Sequence, residues 1–120
     1  VCGSTKFEST WSRDMKSHTP SKEERAWMDA ISEFGCAVCH REWGIWSPAE
    51  VHHLQGKVRE GSHLLTIPLC QKHHRGGEDT SVYTSRHPYK ARFEERYGSE
   101  HEIHQWVVRQ IHSQQEGFFD

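Results

Sequence analysis

Cysteine and histidine residues crowd into the segment 36–74 in patterns that are typical of metal ligands. Two pairs have zinc-ligand spacing: Cys36 with Cys39, and Cys70 with His73. Two intervening residues place the donors of each pair on one turn, and the segment between the pairs is long enough for a hairpin that returns the chain. The sequence therefore predicts a closed tetrahedral Cys3His site for a structural Zn2+.

Two other interpretations use the same residues. Cys36, Cys39 and the adjoining His40 match the C-x-x-C-H pattern of covalent haem attachment, but that role leaves Cys70 without a function. Buried free cysteines can also pack as small hydrophobic residues, which explains one cysteine easily but not the paired spacing. We expect zinc rather than haem or simple packing.

Two His-His pairs, His52-His53 and His73-His74, indicate a second kind of chemistry. Successive side chains of a strand point to opposite faces, so His52 and His53 cannot share one role. One can bind a divalent ion while the other, held neutral, takes a proton from water. If His73 belongs to the zinc set, its neighbour His74 is left to meet His52 at a second metal.

Capping and periodicity predict the elements that position these side chains. A capping box at Ser21 to Glu24 begins a helix that ends at Gly35 and delivers the chain to Cys36. A β-hairpin is expected over 50–69, and a short helix over 70–74. Pro88 stands where a first helical residue belongs, in a helix that Gly98 closes. A last helix begins at Ser99, with Glu102 in capping-box position.

Composition sets the class of protein. With 120 residues, of which 33% are hydrophobic, the chain predicts one domain over 21–120 with a modest core, preceded by a flexible polar tail over 1–20. No apolar segment approaches the length of a membrane span, so we expect a cytoplasmic chain, in which C-x-x-C spacing favours metal over disulfide. The net charge of −2 does not itself indicate nucleic-acid binding. Cations outnumber anions between His52 and Arg96, an excess that fits a phosphate-binding surface and an ordinary solvent-exposed surface equally well.

The order of the motifs CAVC, EVHHLQGK and LLTIPLCQKHH resembles that of the HNH nucleases of the ββα-metal class. The longer run over 35–102, with IPLCQKHHRGG and FEERYGSE, is similar more narrowly to the phage-associated Ref family of RecA-dependent nucleases. The resemblance implies an α+β fold: a small zinc-stabilised ββα-metal core with flanking helices. It also implies a metal-dependent DNA endonuclease.

By position, the resemblance implies that His52 and His74 are ligands of the catalytic divalent ion, Mg2+ or Mn2+, and that His53 is the general base. His87 precedes the FEERYG segment and is a further candidate for the ion's shell or for a phosphate contact. It is equally a candidate N-cap of the helix that begins at Pro88. Products with 5′-phosphate and 3′-hydroxyl ends are expected.

Cations close in sequence to these histidines are candidates for contacts with backbone phosphates, which hold DNA without reading its sequence. They are Lys57, Arg59 and Arg75. The resemblance implies DNA and a RecA filament as partners, with no membrane, in the cytoplasm of a bacterial or phage-infected cell. The chain is expected to act as a monomer.

One departure from the HNH pattern is plain, because the sequence contains no asparagine. Leu65 occupies roughly the position of the motif's middle residue. Either His63 takes over the task of steadying the hairpin loop, or packing holds that loop.

Two alternative functions stay open: a non-catalytic zinc module that binds nucleic acid or protein, and a nuclease of RNA. His101 and His104 also have ligand-like spacing, but we expect them to be exposed histidines of the last helix.

Overall fold

The computed structural model describes residues 19–55 and 61–117. Helices and two strands make up these parts of the chain. In chain order they are α1 (Lys22–Phe34), α2 (Ala37–Trp43), β1 (Glu50–His53), a 3-10 helix (Ser62–Leu64), β2 (Thr66–Leu69), α3 (Gln71–His74), α4 (Lys90–Tyr97) and α5 (Glu100–Gly117). Most of the predicted tail and the tip of the hairpin loop, residues 1–18 and 56–60, lie outside the described residues.

The first helix begins and ends as predicted. The Ser21 hydroxyl accepts a hydrogen bond from the Glu24 amide, and the Glu24 carboxylate accepts one from the Ser21 amide, which completes the capping box. Gly35 ends the helix with φ of 86°, and a Cβ atom there would lie 2.5 Å from Nε1 of Trp46. Glycine is therefore required where the chain turns from α1 into Cys36.

Cys36 and Cys39 lie at the start of a helix, α2, that the sequence analysis did not predict. Cys36 is the N-cap of the helix, and its Sγ accepts a hydrogen bond of 3.4 Å from the Cys39 amide. The helix continues to Trp43 and ends at Gly44 in the left-handed conformation. Cysteine is not among the usual N-cap residues, so no capping signal marks the start of this helix.

The predicted hairpin is confirmed. Strands β1 and β2 are antiparallel, with His52 opposite Ile67 and His53 opposite Thr66. All four residues of β2 are buried, because the strand packs against α1, α2, α3 and α5. The hairpin is thus held at the centre of the protein, and β1 carries the histidines along its edge.

The prediction for α4 was wrong at its start. The helix begins at Lys90 with Tyr89 as N-cap, whereas Pro88 lies in a turn after a cis His87–Pro88 peptide bond. The interpretation of His87 as an N-cap is therefore also wrong. Helix α5 follows its prediction, since Ser99 and Glu102 form a capping box with hydrogen bonds of 3.0 and 3.1 Å.

The core joins the hairpin to the flanking helices. Phe93 and Ile103 are fully buried, as are the following residues: Ile31, Ala37, Ile67, Leu69 and Val107. The core is small, as the composition predicted, so a bound metal would contribute substantially to the stability of the fold. Among the described residues, no helix combines the length and the apolar character needed to cross a membrane.

We expect Ile103→Val to lower the free energy of unfolding by about 0.5–1.5 kcal/mol, because it removes one methylene from a fully buried site. Val82→Ala is the matched control: this side chain is 51% exposed, so the change should stay within about 0.5 kcal/mol. Urea unfolding of the zinc-loaded proteins measures both. Equal losses for the two variants would contradict the packing of α5 described here.

Candidate metal-dependent active site

The four predicted zinc ligands converge at one point. Cys36 and Cys39 come from the start of α2, and Cys70 and His73 from the start of α3. The Nδ1 atom of His73 lies 3.6 Å from Sγ of Cys36, 3.7 Å from Sγ of Cys39 and 3.2 Å from Sγ of Cys70. The Sγ atoms of Cys39 and Cys70 are 3.9 Å apart.

These separations fit tetrahedral zinc. Zn–S bonds of about 2.3 Å and a Zn–N bond of about 2.0 Å at the tetrahedral angle place two sulfurs about 3.8 Å apart and a sulfur about 3.5 Å from the nitrogen. All four ligand atoms lie within 4.8 Å of one another, and three of the four residues are buried. The donor set and its spacing therefore match a closed structural zinc site.

Aromatic rings enclose the imidazole of His73. Its ring centroid lies 4.8 Å from that of Tyr83, 5.3 Å from that of Tyr97 and 5.7 Å from that of Trp43. His73 itself is fully buried. This shell keeps water away from the ligand and fixes the plane of its ring.

The thiol pKa values also suit metal binding. The contact with Cys36 lowers the pKa of Cys70 more than burial raises it, and the contacts with His73 lower it further. The same contact with Cys70, together with burial, raises the pKa of Cys36. The cluster thus favours one thiolate over several, and a divalent cation is what would stabilise the remaining thiolates.

A second cluster contains His52, His74 and His87, each of which offers one ligand atom within 4.8 Å of the others. Their ring centroids are 5.0 to 5.4 Å apart. Backbone hydrogen bonds from Arg86 to the carbonyl of His73 (2.7 Å) and from His87 to that of His74 (2.8 Å) dock the turn before α4 onto α3. The structure thus brings together the three residues predicted as ligands of a catalytic ion.

Two carboxylates that the sequence analysis missed hold this cluster. Glu50 accepts a hydrogen bond of 2.8 Å from Nδ1 of His74 and pairs with the Arg75 guanidinium at 2.6 Å. These bonds, first that of Arg75 and then that of His74, lower the pKa of Glu50 to about 2. The carboxylate is therefore ionised at neutral pH.

Glu100, the first residue of α5, likewise contacts one histidine of the cluster and one arginine. Its Oε2 atom lies 2.6 Å from Nε2 of His52 and 2.6 Å from Nε of Arg86. Burial pushes the pKa of Glu100 upward, but the hydrogen bonds from His52 and Arg86 outweigh burial and lower the pKa to about 2. A signal for Glu50 was available, because it lies two residues before His52 and so on the same face of the strand. None was available for Glu100.

The other two histidines of the cluster are disposed to be neutral. Burial lowers the pKa of His74 more than its hydrogen bond to Glu50 raises it, and the nearby His52 adds to the lowering. Burial also lowers the pKa of His87, together with the neighbouring charge of Arg86. A neutral imidazole keeps the lone pair that a metal ion requires.

His53 lies apart from this cluster, as strand alternation predicted. Its Nε2 atom is 2.9 Å from Nδ1 of His63, which is buried in the 3-10 helix. The His63 carbonyl in turn accepts a hydrogen bond of 3.1 Å from the Thr66 hydroxyl. The carbonyl of Leu65 accepts a hydrogen bond of 2.9 Å from the Leu54 amide, which closes the hairpin.

The remaining candidates divide between the described and the undescribed parts of the chain. Arg75 is 57% exposed and carries its ion pair with Glu50, while Lys57 and Arg59 lie outside the described residues. His101 is exposed on α5, as predicted. His104 is half-buried instead, with Nε2 at 2.9 Å from the Leu64 carbonyl and its ring against Trp27.

Helix α3 contributes to both clusters that could hold a metal ion, β1 contributes His52, and α2 and the turn before α4 supply other members. The chain is thus a small α+β protein with a ββα-metal core. Residues 20–112 match the family described as "Recombination enhancement, RecA-dependent nuclease". The match covers most of the chain, and the chain belongs to this family. The predicted resemblance to the Ref nucleases is confirmed at that level, so the protein is a member of a family of DNA-cleaving hydrolases that act in recombination.

We expect His73→Ala to lose the tightly bound zinc and to melt at lower temperature, whereas His74→Ala should keep one zinc per chain. The two residues are neighbours on α3, but only His73 faces the three sulfurs. Elemental analysis after dialysis and thermal unfolding measure both properties. Zinc retained at full stoichiometry in His73→Ala would contradict the Cys3His assignment.

Proposed function

We propose that this protein is an HNH-type endonuclease that hydrolyses DNA phosphodiester bonds with a divalent cation, Mg2+ or Mn2+, and acts on DNA together with a RecA filament. The observation that carries the proposal is the His52, His74 and His87 cluster, set beside a zinc-type Cys3His set on one ββα core. Membership in a family of RecA-dependent nucleases supports the substrate and the partner.

The three histidines are the residues that would hold the catalytic ion. Three protein ligands on one side leave coordination positions open, which is the arrangement of catalytic rather than structural metal sites. Such an ion supplies electrostatic stabilisation of the charge that develops on the phosphate and on the departing 3′ oxygen. The Cys3His set has no open position, so it serves the scaffold.

His53 is the proposed general base. It lies on the opposite face of β1 from His52, and its side chain is half-buried, so part of it can reach solvent. In-line hydrolysis places the attacking water and the leaving oxygen on opposite sides of the phosphorus atom. A base on one face of the strand and a metal ligand on the other suit that geometry, since His53 accepts the proton of the water that attacks.

His63 is the proposed substitute for the missing asparagine. It lies 2.9 Å from Nε2 of His53, and the 3-10 helix that carries it sits in the loop between the strands. A hydrogen bond at one imidazole nitrogen fixes the orientation of the ring and its tautomer.

Arg75 is a proposed phosphate contact, with Lys57 and Arg59. The Arg75 side chain follows His74 on α3 and is 57% exposed, so it lies beside the cluster and faces solvent. Its ion pair with Glu50 holds the guanidinium in place but is itself a surface contact. Phosphate contacts of this kind strengthen binding to any sequence and weaken with salt.

Replacement of His53 by alanine should reduce cleavage at least about 100-fold and leave zinc content and unfolding unchanged, because the base is lost and no described metal ligand is removed. The test is nicking of supercoiled plasmid with Mn2+ or Mg2+, with RecA-coated single strands in a parallel arm. His101→Ala is the matched control, a histidine exposed on α5. Equal cleavage by both variants would remove His53 as the base, whereas no cleavage by the native chain in any arm would favour the non-catalytic zinc module.

Removal of loosely bound metal by brief treatment with EDTA should abolish cleavage without loss of the buried zinc. Activity should then return at lower concentrations of Mn2+ than of Mg2+, because imidazole nitrogen suits a transition metal better than the hard Mg2+ ion. Titration of the treated enzyme with each ion in the nicking assay measures this. Full activity in excess EDTA, with zinc still bound, would contradict the divalent-ion requirement.

A further inference from the structure

The C-terminal helix contributes a buried carboxylate to the histidine cluster. Glu100 stands at the first position of α5, where the Ser99 capping box fixes the end of the helix. Its side chain is 4% exposed, and so is that of His52, to which it is bonded at 2.6 Å. The backbone amide of Glu100 donates to the Glu94 carboxylate at 3.0 Å, which ties this end of α5 to α4.

Packing alone does not account for a carboxylate at this position. A buried ion pair recovers its desolvation only with good geometry, and apolar residues of similar volume often stabilise as well or better. Here the same Oε2 atom receives both Nε2 of His52 and Nε of Arg86, each at 2.6 Å. Burial of the Glu100 carboxylate costs free energy, and its two hydrogen bonds have defined directions. Both properties fit a contact that orients the His52 ring.

An imidazole has two nitrogens, and a hydrogen bond at one decides what the other can do. A carboxylate at Nε2 of His52 demands a proton on that nitrogen, which leaves Nδ1 with the lone pair. Metal-bound histidines commonly donate their second nitrogen to a carboxylate in this way, and loss of the carboxylate typically weakens metal binding about 10- to 100-fold. His74 shows the same pattern with Glu50.

We propose that Glu100, held by Arg86, is a positioning residue that fixes the tautomer and the ring orientation of His52 for the divalent ion shared with His74 and His87. The inference rests on the proposed function, since it takes these three histidines as the ligands of the catalytic ion. It assigns a part of the active site to α5, outside the hairpin and α3 that make up the ββα core.

The first test measures Mn2+ binding to the zinc-loaded chain by calorimetry, without DNA. Glu100→Gln keeps the shape of the side chain but not its charge, and we expect its Mn2+ dissociation constant to rise at least about 10-fold. Glu95→Gln is the matched control, because Glu95 is 69% exposed and pairs with Arg92 on the surface of α4. That variant should bind Mn2+ as the native chain does.

The second test needs no substitution, so it holds even where Glu100→Gln does not fold. Nitrogen-15 NMR of the imidazoles in the native chain should show the Nε2–H tautomer for His52 before Mn2+ is added. An Nδ1–H tautomer would overturn the proposal. So would a Glu100→Gln protein that melts at lower temperature but binds Mn2+ within twofold of the native value, because that is the result of a merely structural role.

These outcomes are separable from failure of the proposed function. Absence of Mn2+ binding by the native chain would overturn the catalytic-ion site, and the role of Glu100 with it. Native Mn2+ binding that is weakened by Glu100→Gln, in a chain that does not cleave DNA, would support the positioning role and remove the nuclease mechanism alone.

Discussion

Four ligand atoms that must meet at one point govern this architecture. Cys36 is the N-cap of α2 and Cys70 is the N-cap of α3, so each half of the Cys3His set stands where a helix begins. The chain between them has to leave and return, and the antiparallel pairing of β1 with β2 is the result. In a protein with so small a core, a metal bound only by the folded state adds directly to stability.

Adjacent histidines then divide the work. On β1, alternation sends His52 toward α5 and His53 toward the 3-10 helix. On α3, successive side chains diverge by about 100° around the helix axis, so His73 faces the sulfurs while His74 joins His52. The two His-His pairs thus contribute to the Cys3His cluster, to the cluster of His52, His74 and His87, and to the proposed base. The strand and the helix separate these roles by geometry alone.

Local signals were enough to predict much of this arrangement. The capping boxes at Ser21 and Ser99 and the spacing of Cys36 with Cys39 depend on residues only three apart, and the structure contains all of them as expected. The meeting of His52 with His74 followed from the two His-His pairs, and the resemblance then implied that both are ligands of one ion. Helix α2 was missed because it is seven residues long and a cysteine begins it.

Contacts between distant residues could not be predicted in this way. Glu100 contacts His52, which lies 48 positions earlier in the chain. The capping box predicts that a helix begins here, but it does not indicate that the Glu100 side chain is buried. The prediction at Pro88 was wrong for a related reason, because proline is common both in the first turn of a helix and in tight turns. Here the backbone hydrogen bonds from Arg86 and His87 to α3 favour the tight turn. Conformation at that point is set by its partners, not by its own residue type.

The shortness of α3 has an evolutionary consequence. Its four residues carry one ligand of each metal-binding cluster at consecutive positions. An insertion of one residue between His73 and His74 would turn everything that follows by about 100° and carry the second cluster out of register while the first stayed whole. We therefore expect this short stretch of the gene to tolerate no insertion or deletion of codons, so that it diverges by substitution alone.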